Sequence, residues 1–505
     1  MSFPTNRAFK DLVAAAQKSR LNCRDQTNLF CYLGFEGEKA RLGWVIPPQW
    51  EAVAAKLNDF EKLDLAREIK QVIFVGMGGS INAIKALKTA FAGSGKIKID
   101  ILDSIDPKAI YEILAKIDDW NQTLVVGISK SATTEETRLL MKTLKNKYDL
   151  LAIDYRKHFL WLTDPENRKN LTVNGWGQTP VMPIQVDDRS DIGGRFSAPN
   201  TLVFLLPLYF LGGKETKFVQ NIWQEYLQAI DRELVDKMAQ AARKIVDSGS
   251  EFLAIVLDSY LTEAMENWIT QLFQESLGSK LEMWLFHLFK SSGASKLSGF
   301  NLKTLVAPLN EVPNYFKLVN LDLKNTNRMV EMMVNFYAAQ LLVAFIAYGK
   351  RVNFVDQPEV ENYKRIMRGS KPGELNLPQK SKIGQIIEET NKVLENKPEI
   401  KFVEIVCYWH LDKDKRQKIK EIFQRRLPGR EILVFEGSDW NHHSLQAAVK
   451  DPRTLFEILI YADYSEYTNQ IQSEMGKNNV ETLRAIAYST YKSLKDKALF
   501  MSYGE

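Results

Sequence analysis

Along the chain the apolar positions keep two different periods. Residues 1–70 place them three and four apart, as in AFKDLVAAAQKS and QWEAVAAKLNDF, which predicts helices that bury one face. From residue 72 short β-branched runs take over: VIFVG (72–76), KIDILD (98–103) and TLVVGI (123–128), separated by helical stretches at 81–92 and 107–117. DLLAI (149–153) and PVMPIQ (180–185) extend the strand set. Strands alternating with helices predict a parallel sheet covered on both faces. A second block of the same kind runs from EFLAIVLD (251–258) through LVAPL (305–309) and FKLVNLDL (316–323) to a long helix near 327–349 and a strand at RVNFV (351–355). KPGELNLPQK (371–380) has the Pro, Gly and polar content of a linker. Beyond it FVEIVCYW (402–409), EILVFEG (431–437) and the helical NNVETLRAIAYSTYKSL predict a smaller third α/β unit.

The expected organisation is therefore a helical segment over 1–50, α/β units over 51–213 and 214–370, and a C-terminal α/β extension over 371–505. Composition narrows the class further. The 67 Lys+Arg against 62 Asp+Glu leave +5 over 505 residues, spread too thinly to argue for nucleic acid. Cys23, Cys31 and Cys407 read as unpaired thiols of a reducing compartment, and no CxxC or HExxH spacing suggests a metal. The apolar run at 201–213 is too short to span a membrane, and 329–349 contains Glu331, Asn335 and Gln340, so it reads as a buried helix. MSFPTNRAFKDL lacks the apolar stretch of a signal peptide, and the expectation is a cytoplasmic protein with no membrane partner.

Two loops carry candidate chemistry. The first strand runs into Gly76-Met77-Gly78-Gly79-Ser80 and then a helix, whose free N–H groups and positive dipole end suit an anion. A Gly-rich turn is also a common tight connection, and neither the G-x-G-x-x-G nor the P-loop pattern is met. The third strand leads into Ser129-Lys130-Ser131-Ala132-Thr133-Thr134-Glu135-Glu136-Thr137. A helix cap needs one hydroxyl, and the first six residues of this stretch offer four with a lysine, which favours a cradle for a phosphate monoester. Both loops fall at the carboxyl ends of adjacent parallel strands, where α/β folds bind ligands.

GMGGS followed about fifty residues later by SKSATTEET resembles the sugar isomerase (SIS) domain of the glucose-6-phosphate isomerase family. Three further motifs match in family order: Asp191-Ile192-Gly193-Gly194-Arg195-Phe196-Ser197, Gln271-Leu272-Phe273-Gln274-Glu275-Ser276 with Gly278 and Lys280, and Asp356-Gln357-Pro358-Glu359-Val360-Glu361 with Lys364. The resemblance implies an α/β fold of two SIS-type, flavodoxin-like αβα sandwich domains, followed by the smaller C-terminal unit. It implies that Gly79, Ser80, Ser129, Ser131 and Thr134 hold the substrate phosphate near Lys130 and that Gln271 lines the site. Glu275 would move a proton between C1 and C2 through a cis-enediol, Arg195 would stabilise that enediol, and Lys364 would assist ring opening. The partners implied are a small-molecule sugar phosphate and a second copy of the chain, with no cofactor. The residue chemistry agrees, because aldose–ketose interconversion needs one carboxylate and a fixed positive charge beside the oxygens. Gln271 and Glu275, four apart on a predicted helix, share a face.

The family also uses a histidine to open the sugar ring, in a stretch where this chain has none between Lys290 and Lys364. Gly437-Ser438-Asp439-Trp440-Asn441-His442-His443-Ser444 resembles the relocated His-Ser segment in the isomerase part of fused transaldolase/glucose-6-phosphate isomerases. That resemblance makes His443 the expected acid, with His442 second, and leaves His158, His287 and His410 with structural or surface roles. Two other readings share the motifs: an isomerase that also takes mannose 6-phosphate or another acidic sugar, and a SIS-type sensor without turnover. Retention of Glu275, Arg195 and Lys364 together speaks against the sensor.

Overall fold

The computed structural model describes residues 5–18, 27–66, 68–248, 252–257, 259–278, 285–290, 316–320, 323, 325, 327–369, 375–442, 444–449, 452–464 and 478–504. A small antiparallel hairpin of β1 (Phe35–Glu36) and β2 (Lys39–Ala40) precedes the first sheet. That sheet holds β3 (Gln71–Gly76), β4 (Lys98–Leu102), β5 (Thr123–Ile128), β6 (Phe159–Thr163) and β7 (Val181–Pro183) in the order β4-β3-β5-β6-β7, every pair parallel. The next contains β8 (Phe252–Leu257), β9 (Leu285–Lys290) and β10 (Phe316–Asn320) in the order β10-β8-β9, again parallel. The C-terminal sheet has β11 (Lys380–Ser381), β12 (Phe402–Tyr408), β13 (Glu431–Glu436), β14 (Thr454–Tyr461) and β15 (Ala498–Tyr503) in the order β11-β15-β14-β12-β13. With five strands it matches the first sheet in strand number.

Strands β3 and β5 are buried along their whole length, as parallel strands covered on both faces must be. Alternate residues of β3 serve different cores. Val72 and Phe74 join the cluster built around the helix Arg328–Lys350, whereas Ile73 and Val75 join the cluster that continues into β12, β13 and β14. Through period-2 alternation this strand contributes one face to the core shared with the C-terminal unit.

The 328–350 helix is, among the described residues, the one long and apolar enough to cross a membrane, yet Met329 through Tyr348 are all buried in protein. Its polar side chains have partners inside. Asn335 donates to the Glu331 carbonyl at 2.9 Å, Gln340 to the Ala198 carbonyl at 2.6 Å, and Tyr337 to the Val45 carbonyl at 2.9 Å. Those bonds offset part of the cost of burying the two amides and the hydroxyl, with Asn335 Oδ1 and Gln340 Oε1 left unbonded among the described residues.

Several expectations need correction. DLLAI is not a strand: the helix Glu135–Leu150 runs through its start and the chain then turns at Ala152, which has φ +56°. RVNFV is not a strand either, because Arg351 adopts φ +55° as the left-handed cap of the long helix, and Phe354 N–H bonds the Leu33 carbonyl. LVAPL lies outside the described residues. Strands β6, β14 and β15 were not anticipated. Cys31 is disulfide-bonded, so the reading of three unpaired cysteines fails there, while Cys407 is a buried free thiol. Spacing along a chain does not tell which cysteines folding brings together.

The missed strand β14 has Glu457 at its centre, fully buried, with its carboxyl accepting from the Thr390 hydroxyl at 2.8 Å. Burial pushes this carboxyl from the usual 4.5 up to about 8, against the pull of the Thr390 bond. The unfolded chain ionises first as pH rises, so the folded state loses about 1.4 kcal/mol per pH unit between those two values. Glu457→Gln keeps an acceptor for Thr390 and removes the titration. Urea unfolding should show the variant more stable than wild type by a few kcal/mol at pH 7.5 and equal to it near pH 4.5. Equal stability at pH 7.5 would mean that the carboxyl is solvated.

Candidate active site

A cavity of about 780 Å³ lies beyond the carboxyl ends of β3 and β5 and takes its walls from all parts of the chain. The first loop reaches it through two glycines with distinct tasks. Gly78 has φ +54°, and a side chain there would meet the His442 Cβ at 2.8 Å. A side chain at Gly79 would strike the backbone of Gly194 and Arg195. At Gly79 only a residue without Cβ lets this loop meet the Gly194–Arg195 backbone.

In the second loop Ala132 takes the left-handed conformation at φ +55°, and the helix Glu135–Leu150 begins immediately after. Ser131, Thr133 and Thr134 line the cavity. Ser129 is buried behind them, its hydroxyl 3.1 Å from that of Thr134. Lys130 also lines the cavity, 3.8 Å from Asp164. Burial, and then the nearby Arg41 charge, lower the Lys130 pKa to about 8 despite Asp164, and burial raises Asp164 to about 6. Arg41 comes from beside the β1–β2 hairpin, where it pairs with Glu36 at 2.7 Å.

At the other end Arg195 and Glu275 are buried together. The guanidinium gives hydrogen bonds to Glu275 Oε2 (3.3 Å), Ser276 Oγ (2.9 Å), Gln357 Oε1 (3.3 Å) and the Phe354 carbonyl (2.9 Å). Gln271 Nε2 donates to the same Glu275 oxygen at 3.2 Å, and Asn82 fixes that amide by donating to Gln271 Oε1 at 2.9 Å. Among the described residues Glu275 Oε1 has no protein partner, and Glu275 lines the cavity. Burial raises the Glu275 pKa, outweighing the opposite pull of Arg195 and His442.

His442 sits on the wall with Nε2 3.4 Å from Glu136 Oε1. Burial pushes Glu136 up, but its bond to His442 and the His442 charge leave the carboxyl below its ordinary value. Lys364 lines the cavity from the helix Pro358–Gly369, paired with Glu361 at 3.0 Å. The structure therefore brings together Gly79, Ser80, Lys130, Ser131, Thr134, Arg195, Gln271, Glu275 and Lys364, while Ser129 stands behind the wall. His443 lies outside the described residues. Glu136, Asp164, Glu36 and Arg41 escaped the sequence reading. Glu136 was visible only as an acidic residue at a helix start, and the hairpin pair carried no motif.

Two further described histidines make structural contacts. His158 Nδ1 lies 3.0 Å from the Thr123 carbonyl, and His410 lies between Glu112 (3.5 Å) and Glu436 (3.2 Å), joining the C-terminal unit to the first one.

The phosphoglucose isomerase family profile matches residues 56–215, which hold both loops and Arg195. That stretch is similar to a phosphoglucose isomerase domain. The match ends before Gln271, Glu275, Lys364 and His442. A glucose-6-phosphate isomerase of Thermus thermophilus is 31% identical over 175 residues, covering 34% of this chain and 39% of the relative. One from Campylobacter jejuni is 25% identical over 215 residues, covering 42% and 51%. The aligned stretch thus spans about two-fifths to half the length of these curated relatives. A solved glucose-6-phosphate isomerase from Chlamydia trachomatis superposes with TM-score 0.48 and 18% identity, over 77% of this chain and 89% of that one. At that level the likeness carries no argument, and the fold rests on the parallel strand orders above.

The turn that carries His442 is fastened to both neighbouring site helices. Ser444 Oγ donates to Gln274 Oε1 at 2.6 Å, beside Glu275, and Gln446 Oε1 accepts from Glu359 N–H at 3.0 Å, at the start of the Lys364 helix. Ser444→Ala leaves the Gln274 carbonyl without that donor, and chemical denaturation should show a loss of about 1–3 kcal/mol. An unchanged midpoint would mean that the turn is held by packing alone.

Proposed function

We propose that this chain interconverts glucose 6-phosphate and fructose 6-phosphate by ring opening and proton transfer through a cis-enediol. The observation that carries the reading is the state of Glu275. One carboxylate oxygen is held by Arg195 and Gln271, and the other has no protein partner among the described residues and belongs to the cavity wall. A base that shuttles one proton between neighbouring carbons needs this division between an anchored oxygen and a working one. Arg195 supplies fixed positive charge, from a buried position, where the enediol oxygens become more negative. Ser80, Ser131 and Thr134 hold the phosphate at the far end, with Ser129 bracing Thr134 and Lys130 adding charge.

In this reading His442 exchanges the proton that opens and closes the ring, oriented by Glu136 across 3.4 Å, and Lys364 assists from the helix Pro358–Gly369. Residues 51–213 and 214–370 act as two SIS-type units, and the extension 371–505 completes the site with its histidine. Its place is among cytoplasmic enzymes of glycolysis and gluconeogenesis, as a homodimer, on the strength of the family resemblance.

A coupled assay on glucose 6-phosphate and mannose 6-phosphate tests the base. Glu275→Gln should lower kcat by about 10²- to 10⁴-fold while 6-phosphogluconate still binds. A wild-type protein that binds 6-phosphogluconate without turnover would instead be a sensor. The same assay separates the two histidines. His442→Ala should lose at least about tenfold on cyclic glucose 6-phosphate and less on open-chain substrate, while His443→Ala stays near wild type. The reverse pattern would assign ring opening to His443.

A further inference from the structure

The carbonyl groups of the loop after β5 are held by a row of asparagines that no motif marks. Lys130 O accepts from Asn167 Nδ2 and Thr163 Oγ1, each at 3.1 Å, and from Asp164 N–H at 3.2 Å. Ser131 O accepts from Asn170 Nδ2 at 3.0 Å. Ala132 O lies 3.5 Å from Asn174 Nδ2, the longest of the set. Asn167, Asn170 and Asn174 are spaced three and four apart, around the short helix Arg168–Val173, and so present one face to three consecutive carbonyls.

The loop needs such support. Ala132 is held at φ +55°, a conformation that residues with a Cβ avoid. Carbonyl oxygens facing a phosphate would repel it, and within a planar peptide the N–H points opposite to the C=O. Fixing the Lys130 carbonyl on the asparagine side therefore directs the Ser131 N–H the other way. Among the described residues the N–H groups of Lys130, Ser131 and Thr134 have no protein acceptor, whereas those of Ala132 and Thr133 bond Ser129 O and Ser131 Oγ. Three amides are left for a ligand, and the carbonyls that precede the first two, Ser129 O and Lys130 O, are already occupied.

We infer that Asn167, Asn170 and Asn174 are positioning residues that set the 129–134 loop for a phosphate dianion before the ligand arrives. The inference rests on the phosphate-binding part of the isomerase reading and deepens it, because it assigns the loop's selectivity to side chains that never touch the sugar. Preorganisation of this kind acts on affinity, since the cost of ordering the loop is met during folding.

Isothermal titration with inorganic phosphate and with 6-phosphogluconate, beside steady-state kinetics, tests it. Asn170→Leu removes the donor at similar size, and Asn170→Ala serves if leucine is not accommodated. Either should weaken both ligands and raise KM for fructose 6-phosphate by about tenfold, with kcat within about twofold of wild type. Asn174→Leu, at the longest contact, should do the same to a smaller extent. A folded Asn170 variant with wild-type phosphate affinity, or with lowered kcat and unchanged KM, overturns the inference and leaves the isomerase reading untouched. A wild-type protein that binds phosphate through Asn170 without isomerising sugars keeps the inference and removes the isomerase reading.

Discussion

The guanidinium of Arg195 is where the separate parts of this chain meet. It leaves a short turn of the first unit and binds the helix Ser259–Leu277 through Glu275 and Ser276, and the segment before Pro358 through Phe354 and Gln357. Burying a charged pair costs several kcal/mol per ion, which its mutual attraction repays only when the remaining donors are satisfied. Here four acceptors surround one cation, and the geometry of the Glu275 carboxylate follows from it. Gln271 and Asn82 extend the same network to the first loop, so a change in any unit reaches Glu275.

The C-terminal unit stands in the same relation to the site. Its sheet shares a hydrophobic cluster with one face of β3, and ion pairs cross the junction: Lys85 with Asp439, Lys108 with Asp412, and His410 with Glu112. Lys85 is also paired with Asp103, and the two carboxylates hold its ammonium charged despite burial. The turn at 437–446 follows directly from that junction, which puts His442 over Gly78 and against Glu136. A unit that could be taken for an appendage is part of the cavity wall.

Much of this was legible in the residues. Continuous β-branched runs mark the fully buried strands β3 and β5, and the two loops that follow them carry recognisable chemistry because glycine and clustered hydroxyls are unusual at strand ends. What stayed hidden had physical reasons. Strand β14 carries a glutamate at its centre, which breaks the apolar run unless the carboxyl is known to be buried beside Thr390. DLLAI has strand-like composition, yet the preceding helix continues into it. Glu136 and the asparagines at 167, 170 and 174 look like ordinary helix-surface residues until the loop they hold is in place.

By itself the sequence determined the α/β alternation, the two loops that follow β3 and β5 and the identity of the arginine, carboxylate and lysine on the cavity wall, because each depends on local propensity or on residue chemistry. The tertiary structure decided which oxygen of Glu275 is held by Arg195 and Gln271 and that Ser129 braces the loop without lining the cavity. It also decided that His442 reaches the cavity from a unit more than 160 residues beyond Glu275. Those outcomes depend on contacts between segments far apart in the chain, and no local pattern encodes the distance at which such segments come to rest.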